Sequence, residues 1–127
     1  MNDLQNDNIQ VEVQTAYIED QSSPDNDRYV FAYTINIQNH GQRTAQLLNR
    51  HWVITDANGK IQEVRGEGVI GEQPKLRPGE SFEYTSGAIL ETPVGAMEGE
   101  YEMVADSGEH FLALINAFSL SIPNIRH

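Results

Sequence analysis

From residue 9 the chain alternates apolar and polar side chains, with Ile9, Val11 and Val13 separated by Gln10 and Glu12. Successive side chains of a strand point to opposite faces, so this pattern predicts a strand with one wet face. Tyr29, Phe31, Tyr33, Ile35 and Ile37 repeat it over a longer run, with Thr34, Asn36 and Gln38 on the other side. Turn formers crowd residues 21–27, and Asn39-His40-Gly41 ends the second run. Residues 45–55 fit two periods. Leu48 and Trp52 are spaced as on a helix, yet Gln46, Leu48, Arg50, Trp52 and Ile54 also share one strand face. The β-branched Val53-Ile54-Thr55 and the following Asn58-Gly59 favour the strand. Asn-Gly predicts a type I′ hairpin, in which both central residues take positive φ, and hence a return strand over 60–65. Arg77-Pro78-Gly79-Glu80 reads as a turn with Pro second and Gly third. Phe82 and Tyr84 mark a strand over 81–86, and Thr92-Pro93-Val94-Gly95 breaks the chain again. Tyr101, Met103 and Ala105 share a face, Ser107-Gly108 turns, and residues 111–122 form the last strand.

Seven to eight short strands without a helix between them predict an all-β, immunoglobulin/fibronectin type III-like antiparallel β-sandwich. Trp52 falls on the third main strand, where such sandwiches bury a Trp between the sheets. Tyr101, two residues before Met103, is placed as a tyrosine corner opening a late strand, with Met where antibody domains carry Cys. A chain of 127 residues and 14.2 kDa suits one domain over 9–127, behind a polar, flexible segment 1–8.

Eight Lys+Arg against nineteen Asp+Glu leave a net charge of −11 and a pI near 4.5. That field repels phosphate backbones and anionic bilayers, so nucleic acid and membrane are excluded as expected partners. With no cysteine, thiolate chemistry, disulfides and Cys-based metal centres are excluded as well. The first residues, Met1-Asn2-Asp3-Leu4, are too polar for a signal peptide. The longest apolar runs, 29–33 and 111–115, are far too short to span a bilayer. A cytoplasmic location is the expectation.

Gly66-Glu67-Gly68-Val69-Ile70-Gly71 has the spacing of a dinucleotide-binding loop, in which glycines admit a pyrophosphate at a helix N-terminus. The residues that follow include Pro74 and Pro78, which forbid a helix interior, and Glu67 and Glu72 oppose an anion. Phosphate or nucleotide binding by Gly66, Gly68 and Gly71 is therefore an alternative to the expected role, a bulge or left-handed bend leaving the return strand. His40, His51, His110 and His127 lack the close spacing that presets a metal or acid–base site, and are expected to be exposed or hydrogen-bonded. Glu19, Asp20, Asp25 and Asp27 offer hard oxygen ligands without EF-hand spacing, so weak divalent-metal binding is a further alternative and a solvated loop the plainer reading. The loop around Val69, Ile70, Gln73 and Pro74 is the candidate partner-binding surface. Its two aliphatic residues are either an exposed apolar knob or an inward plug.

Residues 21–34, from Gln21-Ser22-Ser23-Pro24 to Ala32-Tyr33-Thr34, residues 46–52 ending in Arg50-His51-Trp52, and residues 63–74 around the glycine loop together resemble the ApaG family. Pro78-Gly79, residues 84–93 and Gly99-Glu100-Tyr101-Glu102-Met103 continue the likeness, which covers residues 9–127. One departure is Ile115-Asn116-Ala117-Phe118, where the family usually has Ile-Pro-x-Phe. Without that proline the last strand is expected to run more regularly. The resemblance implies a fibronectin type III-like sandwich, no established catalytic residues and no cofactor. It also implies a genetic link to cobalt resistance and magnesium efflux, a gene often neighbouring a diadenosine tetraphosphate hydrolase, and related domains in eukaryotic proteins that bind other proteins. The reading is a non-enzymatic protein–protein interaction module with a protein partner.

Overall fold

The computed structural model describes residues 8–123. Eight strands form in it: β1 (Ile9–Tyr17), β2 (Tyr29–Asn39), β3 (Ala45–Asp56), β4 (Ile61–Glu67), β5 (Lys75–Leu76), β6 (Ser81–Leu90), β7 (Val94–Ala105) and β8 (His110–Ser121). Two single-turn 3-10 segments, Glu19–Gln21 and Pro24–Asn26, link β1 to β2. One sheet has the order β1-β2-β6 and the other β4-β3-β7-β8, with β5 also paired to β3. Every pairing is antiparallel, as the alternating pattern requires. Among the described residues no helix is long and apolar enough to cross a membrane.

The inner faces carry the core. Phe31, Tyr33, Ile35 and Ile37 of β2 face Trp52 of β3, Tyr101 and Met103 of β7, and Ala113 and Ile115 of β8, all buried. Trp52 is 2 % exposed and meets Tyr33, Tyr101 and Phe118 edge-on, with ring centroids 5.3, 6.4 and 6.0 Å away. Edge-to-face contact sets the positive ring edge against a negative face, so this cluster adds to what burial supplies. The Trp expected between the sheets is there.

Tyr101 does not form a tyrosine corner. It lies well inside β7, and its hydroxyl bonds the Tyr84 hydroxyl of β6 at 2.5 Å instead of upstream backbone. Burial pushes both phenols far above the usual tyrosine range, so the pair stays protonated and ties the two sheets together.

Three local expectations are corrected by register. Leu47 pairs with Met103 but Asn49 with Glu102, leaving Leu48 as an extra residue in β3. This bulge reverses the alternation, so Ala45 and Leu47 point inward before it and Trp52 and Ile54 after it, while Gln46 and Leu48 leave the Trp52 face. The hairpin at Asn58-Gly59 forms, but only Gly59 has positive φ, +84°. It is a three-residue loop, with the Gly59 and Asn58 amides bonded to the Asp56 carbonyl and carboxylate, and the Lys60 amide to that carboxylate as well. The half-closed Asx turn of Asp56 supplies the bend that type I′ geometry was expected to give. Finally, β8 is irregular despite its Asn116: Met97 pairs with Phe118 and Gly99 with Ile115, so two residues, Asn116 and Ala117, oppose Glu98. The proline is not needed to make that bulge.

Candidate functional site

The outer face of β4-β3-β7-β8 is assembled by register from residues far apart in the chain. One cross-strand row reads Glu67, Asn49, Glu102, Leu112, and the next reads Arg65, His51, Glu100, Leu114. A third joins Glu63, Val53 and Glu98. Side chains directly opposite lie about 4.5–5.5 Å apart at Cβ, close enough to bond. Asn49 donates to Glu102 at 2.7 Å, and His110 Nδ1 meets the same carboxylate at 3.0 Å. His51 bridges two strands, with Nε2 at 2.8 Å from Glu63 and Nδ1 at 3.4 Å from Glu100. Arg65 closes the lattice on Glu63 at 3.3 Å.

Electrostatics follow from those bonds. The hydrogen bond from His51, then the Arg65 charge, hold the Glu63 carboxyl below the usual range. The hydrogen bond from Asn49, then that from His110, do the same for Glu102. A neutral His51 has one N–H, which the shorter contact assigns to Glu63; only the protonated ring donates to both carboxylates. The arrangement thus holds a patterned surface of carboxylates and imidazoles, on which Glu67 and Glu98 have no side-chain partner among the described residues. Two hollows, of about 640 and 350 Å³, meet at His51 and Glu100. Leu112 and Leu114 form their β8 wall, 41 % and 58 % exposed.

The glycine loop is built for the fold. Gly66 lies under the Arg50 guanidinium, where an added Cβ would come within 2.7 Å of Cζ. That guanidinium donates to the Glu67 and Gly68 carbonyls at 3.2 and 2.9 Å. Gly68 sits at φ +66°, its N–H bonded to the Leu48 carbonyl. Val69 and Glu72 exchange both backbone hydrogen bonds around Ile70-Gly71, which have φ of +42° and +80°. This is the left-handed bend expected there, and it is the type I′ geometry expected of Asn58-Gly59, displaced to this loop. The N–H groups of Gly68, Val69 and Glu72 are committed to carbonyls, and among the described residues no helix follows Gly71.

Val69 and Ile70 do not act together. Val69 is 1 % exposed and part of the core, whereas Ile70 is 57 % exposed. The loop is neither wholly knob nor wholly plug, because a two-residue turn projects its tip outward and turns the preceding side chain in. Val69 is therefore corrected from a partner-binding candidate to a core residue, and Ile70 keeps its exposure. Gln73 and Pro74 hem the loop to β3, Gln73 donating to Leu48 and Pro74 accepting from the Leu47 N–H, both at 3.0 Å. Glu19 and Asp20 lie on the first 3-10 turn, Asp25 on the second and Asp27 just after it at φ 54°. Among the described residues no three His, Asp or Glu side chains gather in a metal-holding group, these four included. His127 lies outside the described residues.

His51, Glu63, Glu100, Glu102 and His110 were not singled out together from the sequence. A signal existed: Glu98, Glu100 and Glu102 alternate with Gly99, Tyr101 and Met103, an acidic period-two row on the wet side of a strand.

Comparison with known proteins agrees with this architecture. A family model described as the ApaG domain matches residues 19–105. The chain is 60 % identical over 119 residues to Protein ApaG of Thiobacillus denitrificans, covering 94 % of each chain. It is 55 % identical over 121 residues to Protein ApaG of a Shewanella species, covering 95 % and 96 %. The crystal structure of a Bordetella pertussis protein described as ApaA superposes with a TM-score of 0.90 at 49 % identity, over 92 % of this chain and 95 % of that one.

Proposed function

The chain belongs to the ApaG family, and from that premise we propose that it is a non-enzymatic protein-interaction module, docking its partner on the outer face of β4-β3-β7-β8. The observation that carries this is the hollowed face itself, where aliphatic Leu112 and Leu114 stand exposed beside a hydrogen-bonded lattice of Glu63, His51, Glu100, Asn49, Glu102 and His110. A side-chain lattice that is already bonded reaches a partner in fixed geometry, which lowers the ordering cost of association. In this reading the protein is cytoplasmic, and the link to divalent-cation homeostasis implied by the family resemblance runs through the partner.

The test places a photo-crosslinking amino acid at position 114 on this face, and separately at position 14 on the opposite face, in cells. Irradiation is expected to give a discrete adduct from position 114 and none from position 14. No adduct from either position, with the chain folded and abundant, sinks the interaction reading.

A further inference from the structure

Resting on that reading, we propose that the segment this face receives is an extended stretch of another protein with Lys or Arg at alternate positions, lying along β7. The reason is a match of spacing and charge. Glu98, Glu100 and Glu102 repeat every second residue on β7, so their Cα atoms step by about 6.6–6.8 Å. An extended peptide repeats its own side chains on one face by that same step, which sets one cation over each carboxylate.

The surroundings favour cations over anions. The larger hollow is lined by three carboxylates, Glu67, Glu100 and Glu102, against two guanidiniums, Arg65 bonded to Glu63 and Arg50 bonded to the Glu67 and Gly68 carbonyls. Among the described residues Glu67 and Glu98 have no side-chain partner to displace. One strand away, about 4.8 Å, Leu112 and Leu114 run beside Glu102 and Glu100 in register. Lys and Arg carry apolar stems that cover such leucines while the charged head reaches the carboxylate. A net charge of −11 on the whole chain steers a basic segment inward, but it does not choose a face; the alternating row does.

The probe is the synthetic peptide acetyl-Lys-Thr-Lys-Thr-Lys-Thr-Lys-amide, titrated by NMR and calorimetry into the full chain at low salt. A second peptide of the same composition with its lysines in one block is the register control. The alternating peptide is expected to bind about tenfold more tightly than the blocked one, and to shift amides of β3, β7 and β8 around His51, Glu100 and Leu114. Glu100→Gln with Glu102→Gln is expected to weaken it about tenfold, and Leu112→Ser with Leu114→Ser about threefold. Glu12→Gln with Glu83→Gln, on the opposite face, is expected to change it by less than about twofold. Equal binding of the two peptides, equal loss with the opposite-face variant, or no binding at all overturns the proposal. Spermidine binding as tightly as the alternating peptide also overturns it, assigning the face to a small polycation. If the peptide fails while the crosslink at position 114 is obtained, the interaction reading stands and only the partner's chemistry is wrong; if the crosslinks fail as well, both fall.

Discussion

Thr34, Asn36, Gln38 and Thr85 cover much of the outside of β1-β2-β6, whereas glutamate, histidine and leucine cover the outside of β4-β3-β7-β8. Both faces come from the same alternation over the same core. On the first, Thr34 and Thr85 share a hydrogen bond of 2.8 Å and Asn36 reaches Glu83 at 3.2 Å, pairing mostly neutral groups across the strands. On the second, charged and ionisable groups are paired beside the uncovered Leu112 and Leu114, and its hollows of about 640 and 350 Å³ exceed the one of about 240 Å³ over Thr34 and Asn36 on the first. The first arrangement is suited to water. The second holds groups that water alone does not need.

The largest expected effect falls on what the two faces share. Trp52→Ala removes the ring that meets Tyr33, Tyr101 and Phe118, and should cost about 3–5 kcal/mol in a denaturant melt. A loss below about 1 kcal/mol would mean the sheets do not depend on this cluster. Next comes the edge of the hollowed face. Arg50→Ala leaves two carbonyls of β4 and its loop without their donor, for an expected loss of about 1–2 kcal/mol and faster amide exchange at Gly68. Exchange there as slow as in the parent would show that the guanidinium does not hold the loop.

Ile70 carries strain in the opposite direction. A β-branched residue at φ +42° is costly, and its side chain is mostly exposed, so Ile70→Gly should stabilise the chain by about 0.5–1 kcal/mol in thermal melts. A lowered midpoint would instead give that side chain a packing role. On the neutral face, Thr34→Ala should cost about 0.2–1 kcal/mol, with the same value at low and high salt.

The smallest effect separates the faces by pH. The hydrogen bonds of Asn49 and His110 hold Glu102 below its ordinary value of 4.5, so the folded state keeps this carboxylate ionised to lower pH than the unfolded chain does. Its contribution is therefore complete above the ordinary value and is lost as pH falls through the folded one. Asn49→Ala should raise the Glu102 titration midpoint, read from its carboxyl carbon signal, and flatten the acid limb of stability by less than about 1 kcal/mol, since the pair is partly exposed and screened. An unmoved midpoint would leave Asn49 no electrostatic role.

Much of the strand content was legible along the chain, because a strand buried on one side writes its alternation directly into neighbouring residues. Trp52 as a core ring, the Arg77-Pro78-Gly79-Glu80 turn and the alternating faces of β1 and β2 follow from that local rule. The phase of β3 was not legible, since one extra residue at Leu48 inverts every later side chain without altering composition. The hairpin at Asn58-Gly59 was expected in the right place with the wrong geometry, because the buried Asp56 carboxylate bonds two following amides and selects a longer loop.

From its own order of residues the chain determines an all-β sandwich, an acidic surface and an ApaG likeness, since alternation, charge and motif are properties of short stretches. Tertiary structure alone decides that His51 stands between Glu63 and Glu100, that Val69 turns inward while Ile70 turns out, and that two leucines flank an acidic row. Those outcomes depend on which residues of four separate strands come level with one another, and strand register is set by the packing of the whole core.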